Sequence, residues 1–345
     1  MNVVFLIDNL AHFYMLRNIN MDEFSRVKIF ASKNLSDNDL KFLKTLNVNI
    51  DRPLLREILN LKCDAFIFFN DWNRYNKIFV LLCRLKSITS ICIQESVIDF
   101  NLNNKMRYAD YAFIQGVDSK KYFSKCYRTE VIGNLRYNSD IRDFPGNDVL
   151  INFNLFFSKI KGKEYQWLDM VVDTLVSKDV NYKISKHPSI DINLMGKYEN
   201  IIPSNASNVS SQLKDCRFLI TRFSSLVHEA LLLGVPVVYF DPFSELDQIG
   251  YDFNFSNSKQ VIKLCKNKNE LEDAVNYFTK EVNIDEEQLN IYLQSQIYTC
   301  SSSVSASGFL ISLKAALRES HKNKKHLIDL IANAFIKITL ILIGR

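Results

Sequence analysis

Residues 216–242 read CRFLITRFSSLVHEALLLGVPVVYFDP, and this stretch decides the fold. Positions 217–221 form a short apolar run of strand length. Leu226, Val227, Ala230 and Leu231 then recur at helical spacing. Gly234 stops that helix, and positions 236–240 form a second apolar, β-branched run. Strand, helix and strand in this order make a βαβ unit, which requires two parallel strands. Upstream, 183–189 reads KISKHPS, a short strand over 182–184 running into Lys186-His187-Pro188.

The chemistry of the stretch lies at the turn into its helix. Ser224 and Ser225 have capping side chains, and the first N–H groups of a helix have no partner within it. Hydroxyls beside such N–H groups suit an anion. Glu229 falls one turn along the same face as Ser225; a carboxylate there repels phosphate but suits ribose hydroxyls. Lys186 and His187, at the end of another strand, belong to the same crevice if both strands lie in one open sheet, because ligands bind outside the carboxyl ends of such strands. The plain alternative is a capped helix with a solvated glutamate and a surface histidine. Lys-His-Pro before the unit and Gly-Val-Pro-Val within it favour a nucleotide-phosphate site.

This constellation resembles the C-terminal domain of GT-B glycosyltransferases. The likeness is greatest to bacterial capsule and lipopolysaccharide transferases that use CMP-sugars, and to the related CDP-glycerol glycerophosphotransferases. It is strongest over 130–245. The resemblance implies that His187-Pro188 and Ser224-Ser225 hold the donor nucleotide. It also covers Gly133-Asn134-Leu135-Arg136, which looks like the segment, often Gly-Asn-Pro-Arg, that closes the first domain of these enzymes; Leu135 stands where proline is usual. Asn134 and Arg136 are thereby candidate donor contacts, Arg136 toward a phosphate or an acceptor carboxylate. Gln94-Glu95-Ser96 matches a place where related enzymes carry an acidic residue followed by glycine. Glu95 is therefore the candidate catalytic carboxylate, Ser96 departs from the pattern, and Asp99 is the reserve.

Composition sets the outer limits. A chain of 345 residues, 47% hydrophobic and 23% charged, is ordinary globular material with room for two domains. A net charge of +5 suits an anionic ligand or a membrane surface and does not indicate nucleic-acid binding. The seven cysteines include no C-x-x-C pair, and several sit in apolar runs, so they read as buried free thiols of a reducing compartment. The start, MNVVFLIDNL, lacks a basic n-region and a long apolar h-region, which reads as no secretory signal.

The first half alternates strand and helix. Strands are expected at 3–7, 27–30, 48–50, 65–69 and 89–93, with helices at 36–46, 53–61 and 76–85. Continuous apolar strands suit a parallel sheet buried on both faces. Asp8 and His12 follow the first strand, at its carboxyl end; His12 is a candidate catalytic group, against the reading of a loop histidine. The segment 140–148, DIRDFPGND, is polar with a Pro-Gly turn signal and marks the domain boundary. Beyond 242, a loop is expected at 247–251, helices at 269–278 and 285–298, a Ser-rich loop at 301–307, and a helix at 308–317. By analogy with GT-B chains, these last helices return to the first domain.

The tail differs. A basic cluster, HKNKKH at 321–326, precedes an apolar stretch at 327–343 that carries two charges. That favours a helix in the membrane interface over a membrane span; the alternative is a helix packed on the first domain.

The expected fold is thus α/β, of GT-B type: two Rossmann-like domains facing a central cleft, with C-terminal helices. The domains are 1–143 for the acceptor, 149–318 for the nucleotide-sugar donor, and a basic, apolar helix at 319–345. The expected activity is transfer of a sugar from a nucleotide donor to a capsule, lipopolysaccharide or lipid-linked glycan. The resemblance implies a CMP-sugar such as Kdo or a sialic-acid-like sugar. No cofactor and no essential metal are expected, since helix N–H groups and cationic side chains can stabilise a leaving phosphate. The expected place is the cytoplasm, at the inner face of the membrane. Two alternatives stand beside this: a polyol-phosphate transferase or nucleotide-sugar epimerase on the same fold, and a non-catalytic scaffold of a polysaccharide assembly complex.

Overall fold

The structure is a computed structural model. It describes residues 1–322 apart from 34, 47, 49, 54–56, 58, 72, 96–107, 123–127, 137–144, 155–159, 188–189, 191–195, 206–207, 250–252, 254–260, 281–283 and 298–301. The chain divides into two compact units. The first comprises 1–136 and 296–345, and the second 137–295.

The first unit is a seven-stranded parallel sheet. Its strands are β1 (Asn2–Ile7), β2 (Arg26–Ala31), β3 (Ile50–Asp51), β4 (Ala65–Phe68), β5 (Thr89–Ile93), β6 (Tyr111–Ile114) and β7 (Arg128–Val131). They lie in the order β3-β2-β1-β4-β5-β6-β7. Val3 to Ile7 are each at most 2% exposed, as expected for strands covered on both faces. Helix α1 (Leu10–Arg17) follows β1; its first turn is capped by Asn9, whose side-chain oxygen accepts the His12 N–H at 3.1 Å. Helix α2 (Asp37–Thr45) is capped in the same way by Ser36, and α3 (Arg74–Leu85) by Asn73. Of the helix expected at 53–61, residues 54–56 and 58 lie outside the described residues.

The second unit repeats the plan with six parallel strands: β8 (Asp148–Phe153), β9 (Tyr182–Lys186), β10 (Ile201–Pro203), β11 (Cys216–Thr221), β12 (Val237–Phe240) and β13 (Ile262–Cys265). Their order is β10-β9-β8-β11-β12-β13. Helix α4 (Glu164–Ser177) turns Trp167, Leu168, Val171 and Leu175 into the core against Phe218, Ile220 and Phe240. Helix α5 (Val209–Lys214) precedes β11, and α6 (Leu226–Leu232) joins β11 to β12. Gly234, at φ 70°, ends that connection in the left-handed region.

Three expectations change. The loop expected at 247–251 is in large part helix α7 (Glu245–Ile249). Asp241 caps it, accepting the N–H groups of Glu245 and Leu246 at 2.7 and 3.1 Å, and so overrides the poor helical pattern. Helix α8 (Lys268–Lys280) packs on the second sheet, and α9 (Glu286–Ile297) carries the chain out of the second unit. Helix α10 (Ser302–Lys322) begins inside the expected Ser-rich loop. The donor domain expected at 149–318 accordingly ends early. Ala306, Phe309, Leu313, Ala316 and Leu317 of α10 bury against the first sheet. Phe309 meets Phe113 edge-on at 5.9 Å, and the Tyr111 hydroxyl donates to the Ala316 carbonyl at 3.3 Å. The return of this helix to the first domain is as the GT-B analogy implied. Among the described residues no helix is long and apolar enough to cross a membrane. The apolar tail expected at the membrane, 327–343, lies outside the described residues.

Candidate functional site

Both sheets have the same switch point, and polar residues gather there. In each, the strand order reverses between the first strand and the fourth, where the two connections leave in opposite directions and open a crevice. In the first unit the crevice is flanked by β1 and β4. The residues that follow these strands are Asp8 and Asn9, then Phe69 and Asn70. In the second it is flanked by β8 and β11, followed by Asn154 and by Arg222 to Ser225.

In the first unit the crevice holds a histidine–carboxylate pair. His12, 1% exposed, stacks on Phe69 with ring centroids 4.5 Å apart. Its Nδ1 accepts the backbone N–H of Asp8 at 2.9 Å. A ring nitrogen that accepts an N–H cannot carry a proton, so the proton sits on Nε2. That nitrogen lies 2.9 Å from Oε2 of Glu95 and donates to it. The Asn9 side-chain amide reaches the other Glu95 oxygen at 3.5 Å. Burial alone raises the Glu95 carboxyl, but His12, the Arg136 charge and Asn9 outweigh it and hold the carboxyl below its ordinary value. Its side chain is 25% exposed, so an ionised carboxylate reaches the surface of the crevice.

Asp8 stands behind this pair and is differently set. Its carboxylate accepts from Ser32 and from the amides of Asn70 and Asn76. Burial, the leading cause, lifts it above its ordinary value, with a smaller push from the Glu95 charge. Two carboxyls on opposite sides of one imidazole, 4.0 and 2.9 Å from its nitrogens, are thus driven apart in acidity, the usual arrangement for dividing acid and base roles. Of the segment 133–136, Gly133 takes φ 83° and Asn134 accepts the Arg136 N–H at 2.7 Å. The Leu135 carbonyl accepts from Asn18 at 2.6 Å. The turn therefore holds its shape without the proline expected at 135. Asp99 and Ser96 lie outside the described residues.

In the second unit, His187 follows β9 and its backbone N–H donates to the Phe153 carbonyl at 2.9 Å. The side chain is half-buried, and burial lowers its imidazole below the ordinary value, so it is neutral at pH 7. Lys186 closes the strand; Pro188 lies outside the described residues. Ser224 accepts the Leu226 N–H at 3.2 Å, while Ser225, at the cap position of α6, makes no side-chain bond to the helix. Both serines are half-buried. Glu229, the candidate for ribose hydroxyls, is 4% exposed and accepts from the Ser210 hydroxyl of α5 at 2.5 Å, so the alternative of a solvated glutamate does not hold.

Sequence reasoning missed the polar groups beneath this turn. Arg222 is 2% exposed. Its guanidinium donates to Asn154 Oδ1 at 2.7 Å and pairs with the Glu245 carboxylate. The Asn154 amide donates to the Phe223 carbonyl at 2.8 Å. A signal was present: an arginine directly after the apolar run FLIT has no water to turn to and needs a buried partner. Among the described residues no group of His, Cys, Asp and Glu is placed to hold a metal ion.

No protein-family model and no curated sequence matches the chain. Solved structures do match along almost its full length. MnaA from S. aureus, solved with UDP, superposes with a TM-score of 0.60 at 11% identity, covering 92% of this chain and 97% of that one. A UDP-GlcNAc 2-epimerase from Methanocaldococcus jannaschii, in complex with UDP-GlcNAc and UDP, gives 0.59 at 12% identity over 90% and 100%. The wall teichoic acid polymerase TagF, soaked with CDPG, gives 0.56 at 13% identity over 92% and 89%. The fold is GT-B. At these identities the likeness establishes GT-B architecture, and the chemistry must come from the residues of the two crevices.

Proposed function

We propose that the protein is an enzyme acting on a nucleotide-linked sugar, with the nucleotide held by the second unit and proton transfer carried out in the first. The observation that carries this is the Glu95–His12 pair. A partly exposed carboxylate, kept ionised and hydrogen-bonded to an imidazole whose tautomer is fixed from behind, is free to accept a proton from a substrate C–H or O–H. In the second unit, Ser224 and Ser225 offer hydroxyls and the first N–H groups of α6 to a phosphate, with the neutral His187 as a further hydrogen-bonding group. The ribose falls to Glu229, which would exchange its bond from Ser210 for one from a ribose hydroxyl. Arg136, whose charge acts on Glu95, is assigned to an acceptor carboxylate, with Asn134 holding the Arg136 N–H.

Two reactions share this machinery. In epimerisation, a base removes the proton from the carbon next to the one that bears the nucleotide, the nucleotide leaves as a double bond forms between the two carbons, and both add back with the proton delivered to the opposite face. In transfer, the same base takes the proton of an acceptor hydroxyl, or of a polyol. The solved neighbours include UDP-GlcNAc 2-epimerases and a teichoic acid polymerase. They support the epimerase and polyol-phosphate readings over a CMP-sugar transferase of capsule or lipopolysaccharide. We place UDP-sugar epimerisation first, polyol-phosphate transfer second and CMP-sugar transfer third. The test is separate incubation with UDP-GlcNAc, CDP-glycerol and a CMP-sugar, following the sugar or polyol product as well as the nucleotide. Epimer formed from the UDP-sugar supports the first reading; glycerol phosphate transferred from CDP-glycerol moves the assignment to the second, and sugar transferred from the CMP-sugar moves it to the third. No turnover with any of them leaves the scaffold reading in possession.

A further inference from the structure

We infer that Arg222 and Glu245 are positioning residues: their buried pair fixes the Phe223–Ser224–Ser225 turn in the form that presents both serine hydroxyls to a nucleotide phosphate. The consequence for ligand binding rests on the nucleotide reading above. The consequence for the turn does not.

Burying this pair carries a cost. Arg222 is 2% exposed and Glu245 is 4% exposed. Bringing two charges out of water seldom adds stability, and apolar side chains of similar volume often serve as well or better. A buried ion pair is better explained by the geometry it imposes. Here that geometry joins three strand ends. Arg222 follows β11; its guanidinium reaches Asn154, which follows β8, and Glu245, which opens α7 after β12. Asn154 then returns its amide to the Phe223 carbonyl at 2.8 Å. The peptide that precedes Ser224 is therefore held from both sides: by its own neighbour Arg222 through the chain, and by Asn154 through space. Asp241 completes the arrangement by accepting the N–H groups of Glu245 and Leu246, which fixes the glutamate end of the pair.

A second feature makes the device readable. The titratable groups that act on Glu245 are Arg222 and Asp241, and Tyr239 joins them around the guanidinium. Burial lifts the Glu245 carboxyl to about 7, with Asp241 adding to the rise and Arg222 opposing it. Burial also pushes the Tyr239 hydroxyl well above its ordinary value, so tyrosine stays neutral throughout. As pH falls through neutrality, Glu245 takes a proton, its charge leaves Arg222, and the turn loses one of its two fixings.

The test uses the full chain and three variants, Glu245→Gln, Arg222→Met, and the double apolar swap Arg222→Met/Glu245→Met. Amide exchange at Leu226 and Val227, measured without ligand, reads the turn; UDP and CMP titrations read the hydroxyls. The inference predicts at least tenfold faster exchange at these amides in each variant. It predicts tenfold or greater weakening of the nucleotide that the parent binds. In the parent, affinity falls as pH drops from 8 to 6, and this dependence is absent in Glu245→Gln. The double swap separates positioning from mere support, because it is expected to melt at or above the parent temperature and still lose affinity. Unchanged exchange together with unchanged affinity in the double swap overturns the inference. If the parent itself binds no nucleotide while exchange still rises in the variants, the positioned turn stands and the nucleotide reading falls.

Discussion

Glu95 and His12 do at short range what neither does alone. The backbone N–H of Asp8 denies Nδ1 a proton, and this makes Nε2 a donor to the carboxylate. Glu95→Gln keeps the shape and removes the base; turnover should fall about 10²–10⁴-fold, with nucleotide affinity little changed. His12→Ala should act on acidity instead. With the donor gone, the Glu95 carboxyl rises toward the value that burial favours, so the acid limb of the pH–rate profile should move to higher pH. An unmoved limb would remove His12 from the pair. The sign for stability follows from the same shift. A folded carboxyl held below its ordinary value contributes stability above the carboxylate range, and that contribution is lost as pH falls through the folded value. The parent should therefore lose more stability than His12→Ala on acidification below about pH 4.5, measured by urea melts at each pH.

At the scale of elements, strands such as β1, β4 and β11 and the helix α6 were legible in the sequence because each is a short run with one unbroken period, ended by Gly234 or by a polar cap, whereas β13, only half-apolar as Ile262-Lys263-Leu264-Cys265, was not read. Glu95 was singled out mainly by the resemblance of Gln94-Glu95-Ser96 to related enzymes, with its place at the end of a buried strand in support. The Arg222–Asn154–Glu245 cluster was not, because its members come from three separate strand ends and no spacing links them. Helix α7 was hidden for a related reason: its start depends on Asp241 reaching forward four residues, and its own pattern is weak. Pro145-Gly146 was read as a turn signal, and the structure shows a second duty. A Cβ on Gly146 would stand 1.8 Å from the Asp215 carbonyl oxygen, in backbone that cannot move aside freely. Gly146→Ala should cost the second unit about 1–3 kcal/mol and leave the first unit unaffected. Exchange measured unit by unit checks this; equal loosening of both would contradict it.

At the scale of the whole molecule, the chain leaves its first unit, builds a second sheet of the same order, and returns through α10. Leu313 of α10 is fully buried against the first sheet, so Leu313→Ala should destabilise that unit by about 2–5 kcal/mol. A chain ended after Lys322 keeps every apolar contact described for α10. It should melt as the full chain does and keep its nucleotide affinity, and any loss of binding to anionic vesicles would then belong to the tail. The repeated sheet order matters more for function, since it gives each unit a crevice, one lined by His12 and Glu95 and the other by the Ser224 and Ser225 hydroxyls and His187. The most direct measurement is product analysis with UDP-GlcNAc, comparing the parent with Glu95→Gln and with Ser224→Ala/Ser225→Ala. The account predicts a sugar epimer or released UDP from the parent. It predicts a loss of turnover at constant affinity in the first variant, and a loss of affinity of about tenfold to a few hundredfold in the second. A parent that neither binds UDP nor alters the sugar, or serine variants that bind UDP as tightly as the parent, would contradict it.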